Sequence, residues 1–357
     1  KINNNPISKK IFNKYFKKVW IIVQTMKKEL SQRPSFFEFM TLLSLVIFRD
    51  EKVELSIIEV GLGGRLDSTN VIDSSLSVIT QISKDHTEIL GNTLEKIALE
   101  KAGIIKKEIP VVTSNQTKNA FEVIKLTAKK YNSNLYSSNE VILNKKNKRS
   151  ENKSIQHLVF LKKHSFTTSL LGNHQIENIK TALKAIEVFF ALKSKKANWE
   201  IITNSISKTQ MIGRCQIIKD NQITLVIDGA QNNQSTKALI NVLKSTIKEL
   251  SEIIWIYGAS EGHNSIETLN QIKKFNPKII ITESRLPKAK KSEKIVEEIK
   301  DLELNIIELN KDSFEAYKKA KNMVNKNGVI VAFGSLYIAS EIIEIIENIT
   351  PEKYNYG

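Results

Sequence analysis

Between residues 224 and 346 the chain alternates short apolar runs with amphipathic segments five times, and nothing else in the sequence narrows the choice of fold as much. The apolar runs lie at 224–227, 253–257, 278–281, 305–309 and 329–333. Short, mainly apolar runs of this length are strands covered on both faces. Helix-spaced segments separate them, at 236–250, from about 265, and at 293–301, 314–324 and 338–346. Strands and helices alternating through short links specify a doubly wound parallel sheet. Asp228 follows the first run directly, at the strand end where such sheets place ligand-contacting carboxylates.

The first half is organised around Glu59-Val60-Gly61-Leu62-Gly63-Gly64-Arg65-Leu66-Asp67-Ser68-Thr69-Asn70. The apolar run 55–60 before it reads as a buried strand, and three glycines within four positions mark where that strand turns. A second apolar run, 76–82, leads to Asp85 and His86. Two successive strands then finish in Glu59 and His86 at one edge of a parallel sheet, where a carboxylate and an imidazole could share a divalent cation. The plain alternatives are a solvated Gly-rich turn and a hydrogen-bonded surface histidine.

Other elements follow from spacing. Ser8 can cap a first helix whose stripe Ile11, Tyr15, Val19, Val23 and Met26 is expected to pack on a sheet. Ser35-Phe36-Phe37-Glu38 has the capping-box spacing, and the body behind it, 39–48, is apolar nearly all round and so expected to be buried. Asn92 and Glu95 open a short helix ending at Gly103, with Lys101 in its last turn, where a lysine ordinarily complements the helix dipole. A strand at 109–113, a helix at 119–131, a mobile Lys- and Asn-rich loop at 144–153 and two β segments within 158–171 come next. Gly172-Asn173-His174-Gln175-Ile176-Glu177-Asn178 opens a further helix. A change of pattern at 210–214 divides the chain into domains 1–211 and 212–357.

Composition excludes several classes. The net charge of +16 invites nucleic acid, but six arginines stand among 54 basic residues, and direct base readout leans on arginine. Lysine is instead spread along helix faces, so no nucleic-acid partner is expected. Cys215 is the single cysteine, which fits a reducing cytosol and leaves no intrachain disulfide. The longest uncharged apolar stretch, 39–48, is far short of a membrane span, so a cytoplasmic protein without a membrane partner is expected.

Several of these stretches resemble, in order, the bacterial dihydrofolate synthase and folylpolyglutamate synthase family, Mur-ligase-like ATP-dependent amide ligases. Residues 59–70 differ in one position from the signature EVGLGGRLDATN, and 84–91 carry DHTEILG. Residues 94–105 resemble LEKIAxEKAGI, and 172–183 resemble GxHQxxNxxxAL. Gly213-Arg214, Asp228-Gly229-Ala230 and Gly334-Ser335-Leu336-Tyr337 fit the linker Gly-Arg, the start of DGAHNP and the terminal GSLY. The resemblance implies an N-terminal Mur-ligase-like P-loop-type ATPase domain and a C-terminal Rossmann-like domain. It implies that ATP phosphorylates a carboxylate of dihydropteroate or a reduced folate, and that the amino group of L-glutamate attacks the acyl phosphate.

By the same resemblance Glu59 and His86 hold Mg²⁺, and Lys101 is carbamylated, with Lys101 and His86 as the catalytic pair. Asn178, Arg214 and Asp228 contact ATP, while Ser35, Phe36, Phe37, Glu38, Leu66, Asp67 and Ser68 line the pterin pocket. A monovalent cation is an optional companion, and the family pattern is a monomer. Departures accompany these matches. The family carries an early Gly-rich turn ending in Gly-Lys-Ser, whereas no glycine here is followed by lysine. The expectation is therefore an N-terminal domain without its first strand and P-loop, and a chain that folds in its second domain without turning over ATP. Gln231 and Asn233 stand where the family has His and Pro, and residues 261–264 lack its acidic-basic-acidic turn. A folate- or nucleotide-binding pseudoenzyme is the alternative reading.

Overall fold

A computed structural model describes the chain except residues 31–32, 146–154, 162, 221, 248–251 and 352–357. The expected loop at 144–153 therefore lies, beyond Lys145, outside the described residues, as does the end of the helix expected at 236–250. The chain forms two compact units, residues 1–141 with 180–196, and residues 142–179 with 197–357.

The first unit opens with helices α1 (Lys9–Leu30) and α2 (Phe36–Asp50). Tyr15, Val19 and Val23 of α1 pack on Phe39, Leu43 and Ile47 of α2. The partner of α1 is thus a helix rather than the expected sheet. Only one stripe of α2 is buried, because α1 covers a single face and Leu42 stays exposed on the other. Beyond them come β1 (Ser77–Ile79), α3 (Thr87–Leu90), α4 (Leu94–Ala102), β2 (Val111–Thr113), α5 (Lys118–Lys130) and β3 (Leu135–Ser137). The strands pair in parallel in the order β1-β2-β3, with Ser77 opposite Val111 and Val111 opposite Leu135. Ile97 and Ala98 of α4 and Ala120 and Ile124 of α5 close the core over Ile79 and Val111.

Two expectations for this sheet fail. The run 55–60 is not a strand: none of its residues pairs with a described strand, and Ile57 is 90% exposed. β propensity without a pairing partner or a covering layer does not hold a strand. The run 76–82 stops as a strand at Ile79 because a side chain takes over from the ladder. The Gln116 amide accepts from the Ile82 N–H at 2.9 Å and donates to the Thr80 carbonyl at 2.8 Å.

The second unit contains a small antiparallel sheet of β4 (Leu143–Lys145), β5 (Gln156–Phe160) and β6 (His164–Thr168). Helix α6 (Asn173–Leu192) starts here, and α7 (Trp199–Lys208) packs on β6. The main sheet has the order β11-β10-β9-β12-β8-β7. Its strands are β7 (Gln216–Asp220), β8 (Ile223–Ile227), β9 (Ile253–Tyr257), β10 (Lys278–Thr282), β11 (Asn305–Asn310) and β12 (Val329–Phe333). The five expected strands are parallel, and β7 adds an antiparallel edge beside β8. Helices α8 (Asn233–Thr246), α9 (Ser265–Leu269) and α10 (Ser292–Ile299) cover Trp255, Tyr257 and Phe333 on one face. Helices α11 (Ser313–Met323) and α12 (Leu336–Ile346) cover Leu225, Ile256 and Ile330 on the other.

Candidate functional site

The glycine-rich loop is fastened to the C-terminal end of α4. A Cβ on Gly64 would lie 2.8 Å from the Glu100 carbonyl oxygen and 3.0 Å from that of Lys101, so only bare backbone fits there. The Arg65 N–H donates to the Glu100 carbonyl at 2.8 Å, satisfying one of the carbonyls a helix end leaves open. The Arg65 guanidinium also forks onto the Glu100 carboxylate at 3.0–3.2 Å. The Asn70 amide donates to the carbonyls of Arg65 (3.1 Å) and Gly103 (3.0 Å). Asp67 caps a short 3-10 turn at Ser68–Val71 and accepts from the N–H groups of Leu62 and Thr69, each at 2.9 Å. Burial raises the Asp67 carboxyl, but the Thr69 hydroxyl and these amides outweigh it and hold the group below the ordinary carboxylate range.

Lys101 sits in the last turn of this gripped helix and is half-buried. Burial pushes its ammonium below the ordinary lysine range, against the opposing charge of Asp85. Sequence reading noted Asp85 only as the neighbour of His86; periodicity could not show that its charge acts on Lys101. His86 is exposed and holds a left-handed backbone (φ 48°) ahead of α3, and Glu59 is exposed in the stretch before Gly61. Glu59 therefore does not end a strand, so the pairing of two strand ends expected for Glu59 and His86 does not form. Among the described residues no three His, Cys, Asp or Glu side chains gather closely enough to hold a metal ion. Mg²⁺ takes oxygen ligands and keeps several waters and substrate phosphate oxygens alongside one or two carboxylates, and Glu59 is an exposed carboxylate of that kind.

The two stretches expected around the pterin meet. Ser35 and Glu38 form the expected capping box, with Glu38 N–H to Ser35 Oγ at 3.2 Å and Ser35 N–H to Glu38 Oε2 at 2.7 Å. The Phe37 ring lies over Gly61, where a Cβ would overlap it. Thr41 and Ser68 share a hydroxyl contact at 3.0 Å. Phe36 and Leu66 are 81% and 80% exposed, an apolar pair uncovered within the unit. Asp67, by contrast, has both oxygens engaged in its own turn.

In the second unit Asp228 follows β8 and is buried. Its oxygens accept from the N–H groups of Cys215 (2.6 Å) and Ala230 (2.7 Å). Burial pushes its carboxyl up to about 6, against these bonds and the nearby Arg214. Arg214 is exposed, and its guanidinium passes 3.3 Å from where a Gly229 Cβ would stand. Burial, then Arg214, lowers the His174 imidazole below the ordinary histidine range, so sequence reading missed that His174 and Arg214 belong to one cluster. Asn178, exposed on α6, donates to Gln175 Oε1 at 3.2 Å.

The family described as "Mur ligase middle domain" matches residues 7–186, and "Dihydrofolate synthetase, C-terminal domain" matches residues 210–345. The chain is 27% identical over 352 residues to a dihydrofolate synthase/folylpolyglutamate synthase of Bacillus subtilis, covering 96% of this chain and 79% of that protein. It is 31% identical over 246 residues to a probable folylpolyglutamate synthase of Schizosaccharomyces pombe, covering 66% of this chain but 44% of that protein. The solved folylpolyglutamate synthase of Thermotoga maritima superposes with a TM-score of 0.78 at 25% identity, over 99% of this chain and 79% of that one. That of Mycobacterium tuberculosis, complexed with ADP and AMPPCP, shares the fold with a TM-score of 0.84 at 22% identity, over 98% of this chain and 81% of that one. The chain belongs to the Mur ligase family, within its dihydrofolate synthase and folylpolyglutamate synthase branch.

Proposed function

We propose that this protein joins L-glutamate to dihydropteroate or reduced folates with the hydrolysis of ATP to ADP and phosphate. The observation that carries this reading is the fastening of the loop at 61–70 to α4, which builds the pterin-side residues and Lys101 onto one frame. The γ-phosphoryl group passes to the substrate carboxylate, ADP leaves, and the acyl phosphate forms. The glutamate amine then attacks the acyl carbon, phosphate leaves, and the amine gives up its proton.

Bound Mg²⁺ would supply charge neutralisation around the phosphates, and Glu59 and His86 are the residues to hold it. Lys101 is proposed to carry a carbamate, which needs a neutral amine, and burial favours that form. Ser35, Phe36, Phe37, Glu38, Leu66 and Ser68 take the pterin: the Phe37 ring and the exposed Phe36 and Leu66 offer apolar surface, and Ser68 a hydroxyl. Asp67 shapes that pocket by holding the turn. Asn178, Arg214 and Asp228 take the nucleotide, Arg214 as the exposed cation and Asp228 as a buried acceptor. The relatives are named for making dihydrofolate and folylpolyglutamate, and this protein is proposed to make the same class of product as a cytoplasmic monomer.

Glutamate-dependent ADP release in the presence of dihydropteroate or a reduced folate tests the reading. Release that needs both the amino acid and the pterin supports it. ATP binding without any such release would assign a binding protein instead.

A further inference from the structure

Asn327-Gly328 is the single Asn-Gly pair in the chain, and the fold calls for both residues. They form the turn that leads from α11 into β12. Asn327 holds a left-handed backbone (φ 64°), which asparagine adopts more readily than most side chains. Gly328 packs so closely that a Cβ would lie 2.5 Å from Val324 Cγ2 and 2.8 Å from the Asn325 carbonyl oxygen. Two structural needs met side by side thus create the dipeptide in which asparagine is chemically least durable, because no side chain on the following residue crowds its amide.

Asn327 is exposed, and its side-chain amide has no hydrogen-bond partner among the described residues. One bond holds the neighbouring nitrogen back: the Gly328 N–H donates to the Asn325 carbonyl at 2.8 Å. It closes a turn at the surface, and such bonds open more readily than those of a core strand. The other glycine preceded by an acidic or amide side chain, in Asp228-Gly229, differs: Asp228 is buried and its oxygens are bound by the Cys215 and Ala230 N–H groups. The turn also carries weight in the sheet. The Asn327 N–H donates to the Gln222 carbonyl at 2.8 Å, and the Thr224 N–H donates to the Gly328 carbonyl at 2.9 Å. These bonds lie beside the Val329–Thr224 pair that starts the β12–β8 ladder, and β12 is an interior strand between β8 and β9.

We propose that Asn327 is a modification site, at which the protein spontaneously loses a side-chain amide and acquires an isoaspartyl linkage. When the turn opens, the Gly328 nitrogen attacks Asn327 Cγ. The N–Cγ bond forms, the Cγ–Nδ2 bond breaks, and the Gly328 amide proton leaves with the departing ammonia. Water then opens the cyclic imide: hydrolysis at one carbonyl leaves aspartate, and hydrolysis at the other routes the main chain through Cβ. The lengthened chain no longer holds the Asn327 N–H and the Gly328 carbonyl in register with Gln222 and Thr224.

The test ages the full chain in mildly alkaline buffer, pools soluble and precipitated fractions, and maps asparagine loss by peptide mass. Asn132-Ser133 is the internal control: Asn132 is exposed and has a similar left-handed backbone (φ 51°), but a serine follows it. Loss at Asn327 is expected on the order of tenfold faster than at Asn132. Its isoaspartyl product is expected to take a methyl group from S-adenosylmethionine when an isoaspartyl methyltransferase is added. Asn327→Gly, which keeps the left-handed turn, should lose most of that methyl acceptance. Loss at Asn327 no faster than at Asn132 overturns the site, and so does undiminished methyl acceptance by Asn327→Gly. Asn327→Asp supplies the charge on an unaltered main chain. Aged protein enriched in isoaspartate is expected to unfold at lower urea than Asn327→Asp, and equal midpoints overturn the part this turn plays in anchoring β12.

Discussion

Arg65 and Glu100 meet twice, backbone to backbone and side chain to side chain. The amide-to-carbonyl bond is 2.8 Å and the ion pair 3.0 Å, and both fasten the glycine-rich loop to the end of α4. The backbone contact carries the greater weight, since the guanidinium is half-exposed and solvent-exposed ion pairs contribute little.

Gly64→Ala tests that close approach. The new methyl would press on two backbone carbonyls that belong to a helix and cannot turn aside. A loss of about 1–3 kcal/mol is expected in urea unfolding of the first unit. Arg65→Ala, which keeps the backbone bond, is expected to lose no more than about 1 kcal/mol. Equal losses from the two variants would contradict the assignment.

Phe37→Ala separates binding from folding. The ring is 44% exposed and rests on Gly61, so its removal uncovers the loop without opening the core. The midpoint of unfolding should change little, while dihydropteroate affinity, read by fluorescence titration, falls on the order of tenfold. Ser35→Ala removes the cap instead and should lower stability by about 1 kcal/mol.

Asp228 gives the second unit a pH signature. Its carboxyl is pushed from 3.8 up to about 6, so between these values the folded protein holds a proton that the unfolded chain has released. Stability should therefore fall as pH rises through that window and level off above it, by about 3 kcal/mol for this group alone. Urea midpoints from pH 4 to 7 check the direction, with Asp228→Asn as the reference that lacks the slope. A midpoint difference between the two proteins that stays constant across the window would refute the assignment.

Gly334→Ala is the most disruptive single methyl expected in the second unit. Gly334 has a φ of 106°, and the Cβ would meet the Gly258 carbonyl of the neighbouring strand end. Strained backbone and a rigid clash together should cost about 2–4 kcal/mol, measured by urea unfolding.

The second unit was legible because its signal is repeated and self-contained. Runs at 253–257 and 329–333 became β9 and β12 without a shift of either end, since strands buried on both faces are apolar throughout. The antiparallel edge β7 was missed; Gln216–Asp220 is half-buried and carries Lys219 and Asp220, so its composition does not announce a strand. In the first unit the same apolar criterion misled at 55–60, because a strand also needs a neighbour and pairing is not written in the run itself. The capping box at Ser35 was readable because both partners lie within four residues. Loop 61–70 was readable as a motif and not as a shape: what fixes it is α4, a chain segment more than thirty residues away, meeting it through Gly64 and Arg65.

The two amides that grip Asp228 limit what this carboxylate can do. Each oxygen has given one lone pair to a backbone N–H, one from Cys215 and one from Ala230, and keeps one lone pair to offer. The lone pairs left over therefore point in directions that the chain itself fixes. To rotate toward another partner, the carboxylate would have to release the chain at Cys215, where a left-handed backbone (φ 48°) leads into β7. A carboxylate so placed is held in one orientation, and the start of the edge strand is the part of the protein that would register its loss.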